Sequence, residues 1–344
     1  GERLTREDGL RLFACRDIAW IGALADRVRQ EKCGDIVYYN VNCHVNLTNI
    51  CLAHCKFCAF GRDAEDAGAY EMSVEEAVAH VADAMRDPHL AGLHVVSGLH
   101  PAWTFEDYLE RLKALHEAFP SLYLKGFTGV EITHFAKSSG RTVREVLLRL
   151  REAGLQSIAG GGAEILVDRI RKRIAPKKIM TDDWLRIMKT AHTIGMESTA
   201  TMVIGFGETM ADRIEHMEKV RRLQDETGGF RAFITWTFQP GHTELGGEKT
   251  SSWDYLTTLA LTRLYLDNIA HIQGSWVTQG ERIGQLTLGF GADDLGSIML
   301  EENVVKAAGT RYEMSIQKMV RLIQGAGREA AQRDTEYRVL RKYG

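Results

Sequence analysis

Asn49-Ile50-Cys51-Leu52-Ala53-His54-Cys55-Lys56-Phe57-Cys58-Ala59-Phe60 is the stretch on which the reading of the whole chain turns. Its three cysteines stand at C-x3-C-x2-C spacing, with Phe57 just before the third. Three thiolates can hold three irons of a [4Fe-4S] cluster and leave the fourth iron open to another ligand. Two other readings compete. Positions i, i+4 and i+7 share one face of a helix, which would make these buried thiols. They would also serve as three zinc ligands, with His54 or His44 as the fourth. The residues on either side favour the cluster.

Working outward, the chain alternates extended and helical runs. Residues 5–13 and 16–32 read as two helices, with Ile18, Ile21, Leu24, Ala25 and Val28 at helical spacing, and are expected to pack as a cap on the remainder of the chain. Ile36 to Tyr39 and Asn42 to Leu47 are β-prone, and the second run is taken as the first barrel strand because it feeds the cysteine loop. Ser73-Val-Glu-Glu76 and Thr142-Val-Arg-Glu145 are capping boxes that open helices to about Arg86 and Ala153. Further strands are expected over 93–96, 123–130, 157–160, 198–204, 230–238, 275–278 and 286–290. Helices are expected over 104–118, 181–194, 210–225, 253–269, 315–325 and 328–341, with Thr181 as an N-cap.

Eight strands separated by helix-length gaps is the count of an α/β fold of the (β/α)8 TIM-barrel type. The organisation read from this is a single domain over 1–344, with N-terminal helices over 1–35, the barrel over 36–325 and a C-terminal helix over 326–344. A doubly wound open sheet is the alternative architecture.

After the expected strands come, in order, the cysteines, His100, Glu131, Glu164, Glu208, Gln239, Gln279 and Asp293. In a barrel such positions share the C-terminal mouth, where active sites are built. Ser97-Gly98 is a small pair that lets backbone approach a ligand closely. Gly160-Gly-Gly-Ala-Glu164 exposes backbone at a strand end and aims Glu164 into the mouth. The plainer reading of Glu131, Glu164 and Glu208 is a first-turn carboxylate facing a helix N-terminus. Trp236 and Gln279 offer an aromatic and an amide to a flat, polar-edged ligand, although tryptophan in a barrel is more often core. Arg282 either clamps a carboxylate bidentately or is an ordinary surface arginine.

The 344 residues carry 43 basic and 46 acidic side chains, interspersed, for a net charge of −3, which points away from a nucleic-acid surface. The run Arg169 to Arg173 reads as a solvated helix face. No apolar run reaches the ~18 residues of a membrane span, and no signal-peptide pattern opens the chain. Gly1 reads as a remnant foreign to the natural sequence. Six cysteines in this length do not make a disulfide scaffold, and Cys15, Cys33 and Cys43 are expected to be packing residues. A cluster with an open iron needs a reducing compartment, so a cytoplasmic location is expected.

The cysteine spacing and its aromatic resemble the signature of the radical S-adenosylmethionine (SAM) enzymes. The segments CHVNLTNICLAHCKFCAF, SGLHPAW, GFTGVEI, GGGAEI, TMVIGFGET, LQDETGGFRAFITWTFQPGHTEL, SWVTQGERIGQ and GADDLGSIMLEENVV extend the likeness over roughly residues 40–310. They resemble the radical SAM enzymes of the futalosine route to menaquinone, with the deazaflavin-forming enzymes as relatives. Within that group, GGGAEILVDRIRKRIAPKK, FITWTFQPGHTEL and SWVTQGERIGQ look closest to the cyclic dehypoxanthine futalosine synthases. The aminofutalosine synthases and deazaflavin-forming enzymes are the alternative, and a non-catalytic iron–sulfur or zinc protein is the alternative from another class.

The resemblance implies a [4Fe-4S] cluster on Cys51, Cys55 and Cys58, with SAM on the open iron. Reductive cleavage of SAM would give a 5′-deoxyadenosyl radical. That radical would take hydrogen from C4′ of the substrate's sugar, which would then close onto the attached benzoate. Phe57, Ser97, Gly98, Lys178 and Ile204 would meet SAM, with Lys178 at its carboxylate and Ile204 on the purine. Trp236, Gln279 and Arg282 would meet the substrate, and Glu131, Glu164, Glu208 or His100 would take the final proton. A reducing donor such as flavodoxin or ferredoxin is the implied partner. Ser97 stands where the group usually has glycine, and Phe206 where a histidine commonly follows Gly205.

Overall fold

The structure, a computed structural model, describes residues 2–301 and 303–343, and Gly1 lies outside them. The chain opens with α1 (Arg6–Ala14) and α2 (Ile18–Cys33), then β1 (Ile36–Val45), α3 (Val74–Ala84), β2 (Gly92–Val95), α4 (Phe105–Ala118) and β3 (Tyr123–Gly126). Next come α5 (Gly129–Ser139), α6 (Val143–Glu152), β4 (Ser157–Ile158), α7 (Asp168–Ile174), α8 (Thr181–Thr193), β5 (Ser198–Ile204), α9 (Met210–Thr227) and β6 (Phe230–Thr237). The last part holds α10 (Ser252–Tyr265), β7 (His271–Gln273), α11 (Trp276–Gln279), α12 (Glu281–Leu286), β8 (Asp294–Leu300), α13 (Val304–Ala307), α14 (Ile316–Gly325), β9 (Glu329–Arg333) and β10 (Val339–Tyr343).

Strands β1 to β8 pair in sequence order, all parallel, and β8 pairs back onto β1, so the sheet is a closed barrel rather than an open doubly wound one. The two β-prone runs before the cysteine loop form one strand. Its ten residues serve three neighbours: β9 along Ile36–Tyr39, β8 between Tyr38 and Cys43, and β2 along Asn42–Val45. Side chains alternate across it. Tyr39, Val41, Cys43 and Val45 are buried against the outer layer, with the Cys43 thiol 3.6 Å from His80 on α3. Asn40, Asn42 and His44 therefore face the barrel interior.

Both expected capping boxes are present, Ser73 with Glu76 and Thr142 with Glu145. Thr181 is the first helical residue of α8, and Met180 holds the cap position. Helices α1 and α2 lie along the barrel's flank against α9 and α10.

Three expectations fail for one reason, tertiary context overriding local propensity. The seventh strand is His271–Gln273, whereas Ser275 caps a helical turn over Trp276–Gln279. Leu286 ends a helix and 287–289 is a 3-10 turn, so the eighth strand is Asp294–Leu300. Two buried aspartates at its start are neutralised, Asp293 by Arg263 and Asp294 by Arg333, both at 2.5 Å. Asp293 thus lies at the opposite end from the mouth. The expected C-terminal helix over 328–341 is instead a hairpin, β9 running parallel to the overhang of β1 and β10 antiparallel to β9. The overhang offers unpaired backbone, and pairing it outweighs the helical preference of Glu329-Ala-Ala-Gln332. The hairpin's turn covers the N-terminal end of the barrel: Tyr337 stacks on His271 with centroids 3.6 Å apart, and Arg231 donates to the Thr335 carbonyl at 3.2 Å.

Candidate active site

The chain leaves β1 through the loop bearing Cys51, Cys55 and Cys58, all partly accessible. The loop consists of turns, with Cys58 N–H donating to the Cys55 carbonyl at 2.9 Å and His54 at a φ of 41°. The reading of three thiols on one helix face is thereby excluded. Backbone bonds fasten the loop on both flanks: Leu52 N–H to Leu99 O at 3.0 Å and Lys56 N–H to Ile174 O at 2.9 Å. Gly98 presses so close that a Cβ there would lie 2.2 Å from the Ile50 carbonyl oxygen, so only glycine fits.

The donor set suits a cluster. Among the described residues, the one compact Cys/His/carboxylate group of single-ion size is Cys33, His271 and Asp293, at the far end of the barrel. His54 turns to Asp63 at 3.4 Å, and His44 points into the barrel. Three thiols without a fourth protein ligand leave one iron of a [4Fe-4S] cluster open, and do not complete a structural zinc site. Burial pushes the Cys55 thiol up to about 12, with Lys178 opposing it.

From the loop, contacts run around the mouth. Glu131 accepts from Ser97 N–H at 2.7 Å and from Thr128 N–H at 2.6 Å, so it caps α5 and fixes the β2 rim together. Burial pushes its carboxyl up to about 7 against those two donors. Lys178 donates to Glu164 at 3.0 Å and sits 4.9 Å above the Phe57 ring. Burial opposes the Lys178 charge, but Cys55 and Glu164 outweigh it and hold its pKa above that of an ordinary lysine. Glu164 is buried at a φ of 40°, a strained region for a non-glycine residue, and Arg171 flanks it at 3.5 Å. Phe57 packs on Phe206 and Phe206 on Phe238, with centroids 5.3 and 5.0 Å apart. Gln279 donates to Thr237 at 2.8 Å, and Gln239 to the Thr278 carbonyl at 3.4 Å, which joins the β6 and β7 rims.

Not every expected residue is free for chemistry. Glu208 accepts from Arg213 at 2.9 Å, from Gly205 N–H and from Phe206 N–H, so its oxygens are committed to the start of α9. His100 is buried on Trp103, with Nε2 2.9 Å from Glu71 and Nδ1 accepting from Ala102 N–H. Ile204 is wholly buried on the outer face of β5, and its neighbour Val203 is the partly accessible one. Trp236 is partly accessible on the inner side of β6. Arg282 is exposed beside Gln279, Arg311 and Tyr312 in a cleft of about 600 Å³.

Residues 45–220 match the Radical SAM superfamily, and residues 227–343 match the CofH/MqnC C-terminal region. The chain belongs to the radical SAM superfamily. It is 42% identical to a cyclic dehypoxanthine futalosine synthase of Streptomyces coelicolor, over 99% of this chain and 86% of that protein. It is also 42% identical to an aminodeoxyfutalosine synthase of Thermus thermophilus, over 99% of this chain and 93% of that protein. A 5-amino-6-(D-ribitylamino)uracil–L-tyrosine 4-hydroxyphenyl transferase of Methanosphaerula palustris is 40% identical over 98% and 94%. These relatives place the chain in the radical SAM family of futalosine-pathway enzymes in menaquinone biosynthesis. Methylornithine synthase shares the fold, with a TM-score of 0.77 at 19% identity over 96% and 95% of the two chains.

Sequence reading missed His94 and Lys125, and weighed His44 only as a zinc ligand. The signal was present: Asn40, Asn42 and His44 alternate along a strand whose other face is apolar. Among the described residues no helix is long and apolar enough to cross a membrane.

Proposed function

We propose that this radical SAM enzyme converts dehypoxanthine futalosine to its cyclic product, by carbon–carbon closure between the sugar and the benzoate ring. The observation that carries this reading is the convergence of three cyclase-like runs on one rim. GGGAEILVDRIRKRIAPKK supplies Glu164, Arg171 and Lys178; FITWTFQPGHTEL supplies Trp236 and Gln239; SWVTQGERIGQ supplies Gln279 and Arg282.

Cys51, Cys55 and Cys58 would hold the cluster, and the Ser97–Gly98 backbone with Lys178 would hold the amino-acid end of SAM. When bound, this pair supplies a primary carbon radical able to take hydrogen from the sugar. The chain's own part is placement and exclusion of water. Placement within about 3–3.5 Å carries much of the rate in such a transfer. Phe57, Phe206 and Phe238 make an apolar wall on one side of the mouth, and Val203 offers its side chain to a purine. Of the four acid–base candidates, His100 and Glu208 are spent on Glu71 and Arg213. Glu131, with its pKa near working pH, is the better placed to accept a proton, because Glu164 is engaged by Lys178 and Arg171. The enzyme works in the cytoplasm with a small reducing protein such as flavodoxin or ferredoxin.

The second reading, aminodeoxyfutalosine synthase, is favoured by the equal identity to the Thermus protein. Anaerobic incubation with each substrate separates them. The cyclase consumes dehypoxanthine futalosine to give a product two hydrogens lighter, whereas consumption of only the enol-ether substrate would overturn the assignment.

A further inference from the structure

Barrel interiors are usually filled by branched apolar side chains. This one carries a polar row across three adjacent strands. Register pairs His44 of β1 with His94 of β2, and His94 with Lys125 of β3, so all three lie at one level. Their chain neighbours Cys43, Val45, Leu93, Val95 and Leu124 are buried on the outer face, which leaves the three facing inward. The imidazoles of His44 and His94 meet edge to face with centroids 4.8 Å apart. Ser157 extends the row on β4, paired with Lys125.

The row has no internal partner. His44 Nδ1, His94 Nε2 and the Ser157 hydroxyl are buried without hydrogen bonds, and Lys125 donates to no acceptor among the described residues. Asp294, the acid that acts on Lys125, is already paired with Arg333. Lys125 is half-buried, and burial, then Arg333 and Arg231, push its pKa down to about 8 against the pull of Asp294, so a bound anion would favour its charged form. Burial, then Lys125, keep both imidazoles uncharged, so they serve as neutral donors beside the cation. His94 lies three positions before the rim at Ser97, which sets the row about 10 Å below the mouth at strand rise.

We propose that Lys125, His44, His94 and Ser157 form a carboxylate subsite inside the barrel below the mouth, which takes the carboxylate of an aromatic acid while the rest of the substrate reaches up to the mouth. This rests on the reading of the mouth as the reaction centre and deepens it by naming the group that orients the substrate.

Benzoate and benzamide are the probes, with binding to the full chain read by saturation-transfer NMR. The wild type prefers benzoate, and Lys125→Met loses that preference while Lys125→Arg keeps part of it. In turnover, Lys125→Met raises KM for dehypoxanthine futalosine by roughly 30-fold or more, the loss typical of unpairing a buried charge, with a smaller change in kcat. A thermal melt accompanies each variant, and His94→Phe, expected to lose the same preference, replaces any that does not fold. The subsite is overturned if the wild type binds the two probes alike, or if Lys125→Met retains both the preference and the KM. If the wild type ignores dehypoxanthine futalosine yet selects benzoate through Lys125, the pathway reading fails and the subsite stands.

Discussion

Glu131→Gln removes one charge from the rim and leaves the side-chain shape. Burial raises the Glu131 carboxyl from 4.5 to about 7. The folded chain therefore holds a proton there that the unfolded chain releases between those values. Stability from this group is fully present below pH 4.5 and is lost as pH rises through 7. The shift corresponds to on the order of 3 kcal/mol. Glutamine cannot titrate, so the stability of the variant relative to the wild type should rise by that amount from pH 4.5 to pH 8. The comparison cancels the other carboxylates, which titrate in both proteins. Guanidinium melts of the two cluster-free chains at pH 4.5, 6 and 8 measure it. A difference that stays flat, or falls as pH rises, would show that the Glu131 carboxyl is not raised. It would mean that the N–H donors of Ser97 and Thr128 outweigh burial and keep the group a carboxylate.

Gly98→Ala should displace the cysteine loop, since its Cβ would fall 2.2 Å from Ile50 O, and iron per chain after reconstitution should drop; an unchanged iron content would contradict this. Arg213→Met strands Glu208 and Asp254, which it holds at 2.8 and 2.5 Å, and should cost about 3–5 kcal/mol in a denaturant melt. Lys178→Met frees Glu164 beside the cysteines and should weaken SAM binding by roughly tenfold or more in a titration followed by the cluster's spectrum; unchanged affinity would remove Lys178 from the SAM site.

The elements that sequence made legible are those whose signals are local. Ser73 and Thr142 announced their helices through side chains three residues on, and β5 was read to the residue because a run rich in threonine, valine and isoleucine lies between a glycine turn and a glycine. What stayed hidden depends on partners distant in the chain. Asp293 and Asp294 disguise β8, because the arginines that neutralise them lie 30 and 39 residues away. The C-terminal hairpin reads as a helix until the overhang of β1 is known. Glu208 and His100 stand where mouth residues should stand, and only their bonds to Arg213 and Glu71 show where their polar atoms are spent. Ile204 was misplaced by one residue of strand alternation, enough to turn it from the mouth to the helices. Lys125 gave no motif at all; its meaning comes from the two histidines beside it on neighbouring strands.

If the mouth directs hydrogen abstraction from the sugar of dehypoxanthine futalosine, the hydrogen at C4′ must appear in the 5′-deoxyadenosine. Substrate deuterated at C4′, given to the reconstituted, dithionite-reduced enzyme with SAM, tests it most directly. The expected result is one deuterium in the recovered 5′-deoxyadenosine and, with unlabelled material, a product two hydrogens lighter than the substrate. Unlabelled 5′-deoxyadenosine together with untouched substrate would contradict it.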